Sequence, residues 1–144
     1  MRSTATSELV AAAIAARERA VAPYSGFKVG AALRAEDGAV FTGVNVESAS
    51  YGLTCCAERT AIFTALAAGA RDFNAIAIVA RADGGVMPCG ACRQMLSEYA
   101  PDAAVFVADS ARPEAVRKFT VAQLLPGAFV SVNLPRRRVR RRPA

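Results

Sequence analysis

Two short cysteine segments, in a chain of 144 residues with no histidine, constrain this sequence more than any other feature. They are Cys56-Ala57-Glu58 and Pro88-Cys89-Gly90-Ala91-Cys92. Each falls where a helix is expected to begin, with one helix and one strand between them. Cys89 and Cys92 are three apart, so on a first helical turn both sulfurs face the same way. Cys56 can approach them from the other helix. Exposed N–H groups and the positive end of each helix favour thiolate over thiol. A fold that uses both segments must bring two helix starts together.

Three protein ligands and an open fourth position is the arrangement of a catalytic zinc rather than a structural one. Two other readings of the same residues stay open. Cys89 and Cys92 could be a redox pair, or all four cysteines could close a structural zinc site. Cys55 and Cys56 are adjacent, however, and adjacent helical side chains diverge by roughly 100°. Cys55 therefore reads as a packing residue. With no histidine available, the general acid–base group must be sought elsewhere. Glu58 is the candidate, two residues from Cys56; the plainer reading is a helix-start acid favoured by the dipole.

The pattern of elements is compatible with this. Ser7 can cap a helix running to about Val21, with Leu9, Val10, Ile14 and Val21 on its apolar side. Phe27 to Ala35 reads as a strand, Asp37-Gly38 as a hairpin turn and Val40 to Val46 as the partner strand. A loop from Ser48 to Thr54 leads to a helix from Cys55 to about Ala68. A strand from Asn74 to Ala80, a turn at Asp83-Gly84-Gly85 and a helix from Pro88 to Tyr99 follow. Ala103 to Ala108 is a buried strand and Val121 to Leu125 a short helix. Val130 to Val132 would supply the last strand. Asp109 to Phe119 carries no motif. The order α-β-β-α-β-α-β-(α)-β points to an α/β fold, with a mixed sheet covered by helices.

Charge narrows the partners. Six of the eighteen basic residues are arginines in the last nine positions, Arg136 to Arg138 and Arg140 to Arg142. The remaining twelve balance the twelve acids, so the body is neutral and the net charge of +6 belongs to the tail. A neutral body argues against a broad nucleic-acid surface. Residues 1–134 are expected to form one domain and 135–144 a disordered arginine-rich tail. The apolar run from Leu9 to Ala16 is too short for export or membrane spanning, which implies a cytoplasmic protein with reduced thiols.

Several ordered motifs together resemble the small, homotetrameric, all-cysteine cytidine deaminases. They run from Pro23-Tyr24-Ser25-Gly26-Phe27 through Gly43-Val44-Asn45-Val46-Glu47, Cys56-Ala57-Glu58-Arg59-Thr60-Ala61 and Pro88-Cys89-Gly90-Ala91-Cys92-Arg93-Gln94 to Leu124-Leu125-Pro126-Gly127-Ala128-Phe129. The zinc deaminases share a Cys or His ligand, a non-ligand Glu and a Pro-Cys-x-x-Cys segment. The resemblance implies a three-layer α/β/α fold on a mixed five-stranded sheet, and one Zn²⁺ per subunit on Cys56, Cys89 and Cys92. It implies hydrolysis of free cytidine and 2′-deoxycytidine in pyrimidine salvage. Glu58 would carry protons from water to N3 of the ring and then to the departing amine. Arg59 would hydrogen-bond the thiolates and offset their charge; Arg93 has no assigned role.

For the substrate, the resemblance implies Phe27 against the pyrimidine, Asn45 and Glu47 on a sugar hydroxyl, and Ala57 beside the ring. Ala49, Tyr51 and Phe129 would reach a neighbouring subunit's site, so the active site would be shared across a homotetramer. Lys28 stands where the family often has proline, and Ser48 where asparagine is common. Three rival functions remain: deamination of another aminopyrimidine such as blasticidin S, action on polynucleotides with the tail as a tether, and a non-enzymatic zinc module that binds a partner.

Overall fold

The computed structural model describes residues 3–129. The expected strand at Val130 to Val132 and the arginine-rich tail lie outside the described residues.

The first helix, α1, spans Thr4–Arg17. Its cap is Ser3, whose side chain accepts a hydrogen bond from Thr6 N, one turn before the expected Ser7. It also ends earlier than expected. Val21 is drawn out of the helix to pair with Val46 in a parallel bridge, its N–H donating to Asn45 O at 3.0 Å while Glu47 N donates to Val21 O at 2.9 Å. Tertiary pairing thus overrides the helical propensity of Ala20 and its neighbours.

β1 (Val29–Ala35) and β2 (Val40–Val44) form the expected hairpin. The helix α2 (Ala57–Ala67) follows, then β3 (Phe73–Ala80), α3 (Gly90–Tyr99) and β4 (Ala104–Asp109). The fifth strand is a correction. β5 spans Arg112–Thr120, where the sequence showed no motif, and pairs antiparallel with β4. It is an edge strand rich in charge, and Pro113 with Arg112, Glu114, Arg117 and Lys118 hides its strand signal. The short helix α4 (Val121–Leu124) is closed at its start by a capping box between Thr120 and Gln123.

The sheet order is β2-β1-β3-β4-β5; the β3–β4 pair is parallel and the other three antiparallel. Strand alternation sorts the core into two layers. Leu33, Ile76, Ile78, Val105 and Val107 face α2, α3 and α4, against Ile62, Leu96 and Leu124. Ala32, Ala75, Ala77 and Val79 face α1, against Leu9, Val10 and Ala13. This is the expected three-layer α/β/α arrangement on a mixed five-stranded sheet.

Glycine sets how closely the helices approach. A Cβ on Gly30 would lie 2.1 Å from Ala13 O in α1. One on Gly43 would lie 2.2 Å from Ala61 N and 2.4 Å from Ala57 O in α2. Both helices therefore rest directly on strand backbone, and α2 is the helix that carries Glu58. Among the described residues no helix is long and apolar enough to cross a membrane.

Candidate metal centre and substrate pocket

Cys56 and Cys89 occupy equivalent places, each the N-cap of its helix with extended backbone. Neither uses its side chain to cap, so both sulfurs are free to turn toward a common point. Cys92 follows on the first turn of α3 and is fully buried. The sulfur of Cys89 lies 3.7 Å from that of Cys56 and 3.5 Å from that of Cys92, and all three fall within 4.8 Å of one another. Sulfurs bound ~2.3 Å from a tetrahedral zinc stand about 3.8 Å apart, so the three fit one ion. Cys55 does not join them. It is held in an antiparallel bridge to Val46, and burial pushes its thiol up.

Charge around the sulfurs is uneven. Cys92 beside it, with Arg59 and Cys89, holds the Cys56 thiol well below its ordinary range. Cys56 beside it, together with burial, pushes the Cys92 thiol up. A dication among them would favour thiolate at all three. Arg59 donates from Nη2 to Cys56 Sγ at 3.5 Å and to Thr54 O at 3.4 Å. Its charged form is reinforced chiefly by Cys56.

Glu58, in the first turn of α2, is 4% exposed. Burial pushes its carboxyl up to about 7. A carboxyl near neutrality can both accept and give a proton at physiological pH. The structure therefore brings Cys56, Cys89, Cys92, Glu58 and Arg59 together, as the sequence led us to expect.

The expected substrate residues are less uniform. Asn45, at the end of β2, donates from Nδ2 to Phe27 O at 2.7 Å and accepts from Val29 N at 2.9 Å. Its amide thus grips the backbone on both sides of Lys28. Glu47 accepts at Oε1 from Tyr24 N (3.0 Å) and Ser25 N (3.1 Å), and at Oε2 from Ser25 Oγ (2.5 Å). The Ser25 hydroxyl and amide hold the Glu47 carboxyl below its ordinary range. Sequence reasoning missed Ser25 as a partner of Glu47; the signal available was its place in Tyr24-Ser25-Gly26-Phe27.

A cavity of about 190 Å³ is lined by Tyr24, Ser25, Glu47, Ser48, Tyr51 and Thr54. The Tyr24 and Tyr51 rings meet edge to face there, with centroids 6.4 Å apart. Phe27, Asn45, Ala49 and Ala57 are not in its lining. Phe27 is partly exposed, Ala49 is exposed and Ala57 is buried under the sheet. Phe129 is not brought to this cavity. It is 81% exposed, and its C=O accepts from Gln94 Nε2 at 2.9 Å. A second cavity of about 300 Å³, between α3 and α4, has no titratable side chain in its lining.

Arg93, left without a role by the sequence, bonds backbone. It donates to Pro88 O at 2.8 Å and to Leu124 O at 2.9 Å, tying the Cys89 loop to the end of α4.

Three convergent cysteines at two helix starts, with a buried near-neutral carboxyl beside them, define a zinc-binding deaminase on this fold. The cytidine and deoxycytidylate deaminase zinc-binding region matches residues 3–108. The cytidine deaminase of Halalkalibacterium halodurans is 50% identical over 127 residues, 88% of this chain and 95% of that one. The crystal structure of cytidine deaminase from Burkholderia pseudomallei superposes with a TM-score of 0.81 at 54% identity, covering 85% of this chain and 97% of that one. A blasticidin-S deaminase of Bacillus cereus is 35% identical over 106 residues, 68% of this chain and 74% of its own. The chain belongs to the cytidine and deoxycytidylate deaminase family, and it is an enzyme of that family.

Proposed function

We propose that this enzyme hydrolyses the 4-amino group of free cytidine and 2′-deoxycytidine, releasing ammonia and the corresponding uridine. The observation that carries the reading is the burial of the Glu58 carboxyl, in the first turn of α2, beside the three converging cysteine sulfurs. Held by Cys56, Cys89 and Cys92, zinc supplies a Lewis acid that makes water reactive near neutral pH. Glu58 takes a proton from water and gives one to N3 of the pyrimidine, which makes C4 electrophilic. The resulting hydroxide adds to C4; Glu58 then takes the proton of the new C4 hydroxyl and delivers it to the amine, which leaves as ammonia while the C4–N bond breaks and the C4 carbonyl forms. Arg59 stays charged and offsets the negative sulfurs, with its Nη2 on Cys56.

The family includes deaminases of nucleosides and of a nucleotide, and the names of the relatives favour the nucleoside. Phe27 and Ala57 would frame the base, and Asn45 and Glu47 the sugar. The exposed Tyr51 and Phe129, with Ala49, are suited to a neighbouring subunit's site in a homotetramer. Residues 1–134 would form the single deaminase domain and 135–144 an arginine-rich tail. Three thiolate ligands suit a reducing cytoplasm, and the reaction suits pyrimidine salvage.

The test is the ultraviolet change of cytidine to uridine by zinc-loaded protein, with Glu58→Gln in parallel. The variant is expected to lose about 10²–10⁴ in kcat while retaining zinc. A folded, zinc-loaded protein inactive on cytidine would overturn the substrate, and cytidine monophosphate and blasticidin S would be tried next.

A further inference from the structure

Glu47 is held by hydrogen bonds from within the chain. Three donors from two consecutive residues converge on it: Tyr24 N and Ser25 N on Oε1, and Ser25 Oγ on Oε2. A carboxylate offers roughly four lone-pair positions. One of them, on Oε2, is left for a hydroxyl in the cavity that Glu47 and Ser25 both line. The same Ser25 Oγ that donates to Glu47 accepts from Phe27 N at 3.0 Å. Between them Gly26 adopts φ +68°, which turns Phe27 N back onto the serine oxygen. Asn45 then holds Phe27 O from the other side.

We propose that Ser25 is a positioning residue: its hydroxyl locks the Glu47 carboxylate and the Phe27 backbone into one unit, so that sugar and base are registered against each other. The inference rests on the nucleoside reading above and deepens it. A hydroxyl that both donates and accepts is required; the two backbone N–H groups alone leave Oε2 free to rotate away and Phe27 N without its partner. Charge assistance makes the Ser25–Glu47 bond stronger than a neutral one. Among the described residues, no other charged side chain lines the cavity to compensate for its loss.

The experiment uses full-length, zinc-loaded protein and steady-state kinetics on cytidine and on analogues each lacking one sugar hydroxyl. Wild type is expected to discriminate against the analogue whose missing hydroxyl meets Glu47. Ser25→Ala should raise KM for cytidine by about tenfold with kcat within about twofold, and the discrimination should shrink by a similar factor. Ser25→Thr, which keeps the hydroxyl, should restore both. Glu47→Gln combined with Ser25→Ala should cost little more than Glu47→Gln alone. An unchanged KM and discrimination in Ser25→Ala, with wild type active on cytidine, would overturn the role of Ser25 and leave the function standing. So would a fall in kcat alone, or a failure of Ser25→Thr to recover, since either marks a general structural defect. Wild type without activity on cytidine would bring down both readings together.

Discussion

At the scale of single residues, the site was legible wherever chemistry admits few side chains. A chain without histidine leaves thiols for the metal and a carboxyl for the proton, so Cys56, Cys89, Cys92 and Glu58 could be named from spacing. The role expected of Arg59, to offset sulfur charge, came with the family resemblance rather than from spacing, which marks Arg93 equally. The Nε of Arg59 is buried with no hydrogen-bond partner, while its Nη2 donates to Cys56 Sγ and to Thr54 O. Arg59→Gln is expected to weaken zinc affinity or activity by about 10- to 100-fold, read by competition with a chromogenic chelator. Ser25 was not legible, because serine at a turn has too many ordinary uses. Its effect on Glu47 carries a pH signature. A carboxyl held below its usual 4.5 contributes fully above that value and loses its contribution only as pH falls through the lower, folded-state value. Amide exchange at Tyr24 and Ser25 should therefore stay protected from neutrality down through pH 4.5 and give way only below it. Loss of protection between pH 6 and 5 would contradict the assignment.

Among the elements, the buried strands were read well because their apolar runs are short and nearly continuous, and α1 because its alanines favour helix. β3 reads Phe-Asn-Ala-Ile-Ala-Ile-Val-Ala, apolar at every position but one, and both its faces are covered. β5 was missed for the opposite reason. It is mostly exposed, and its pairing to β4 is a matter of backbone and position rather than of side-chain pattern. The end of α1 was missed because nothing local stops it; Val46 does, from the far side of the hairpin. The seat of α2 was also hidden, since Gly43 looks like an ordinary strand glycine. Gly43→Ala would press a methyl onto the Ala57 and Ala61 backbone. Overpacking of that kind costs about 1–3 kcal/mol. Chemical denaturation should show that loss, and zinc affinity should fall with it because Cys56 caps the displaced helix.

At the scale of the whole molecule, large apolar side chains stand in solvent around the cavity and beyond it. Tyr51, Leu53 and Phe129 are between 74% and 81% exposed, and Tyr24, Phe27 and Phe63 are also exposed. A monomer seldom leaves such residues uncovered in number. Sedimentation equilibrium is expected to give a tetramer. Leu53→Asp should shift it toward smaller species and reduce activity together with assembly. A monomer with full activity would show that each site is complete within one chain.

The placement of the sulfurs has a further bearing on how the enzyme comes to be loaded. Cys89 and Cys92 are neighbours on a single helical turn, so a freshly made chain could offer a metal two donors at once. Cys56 reaches them from a different helix, α2, with β3 between the two segments in sequence. The third donor therefore depends on completed tertiary structure. A bound metal would fasten two helix starts that no side-chain cap secures. Withdrawal of the ion would unfasten both in one event, making chelation a means of dismantling the catalytic end of the protein.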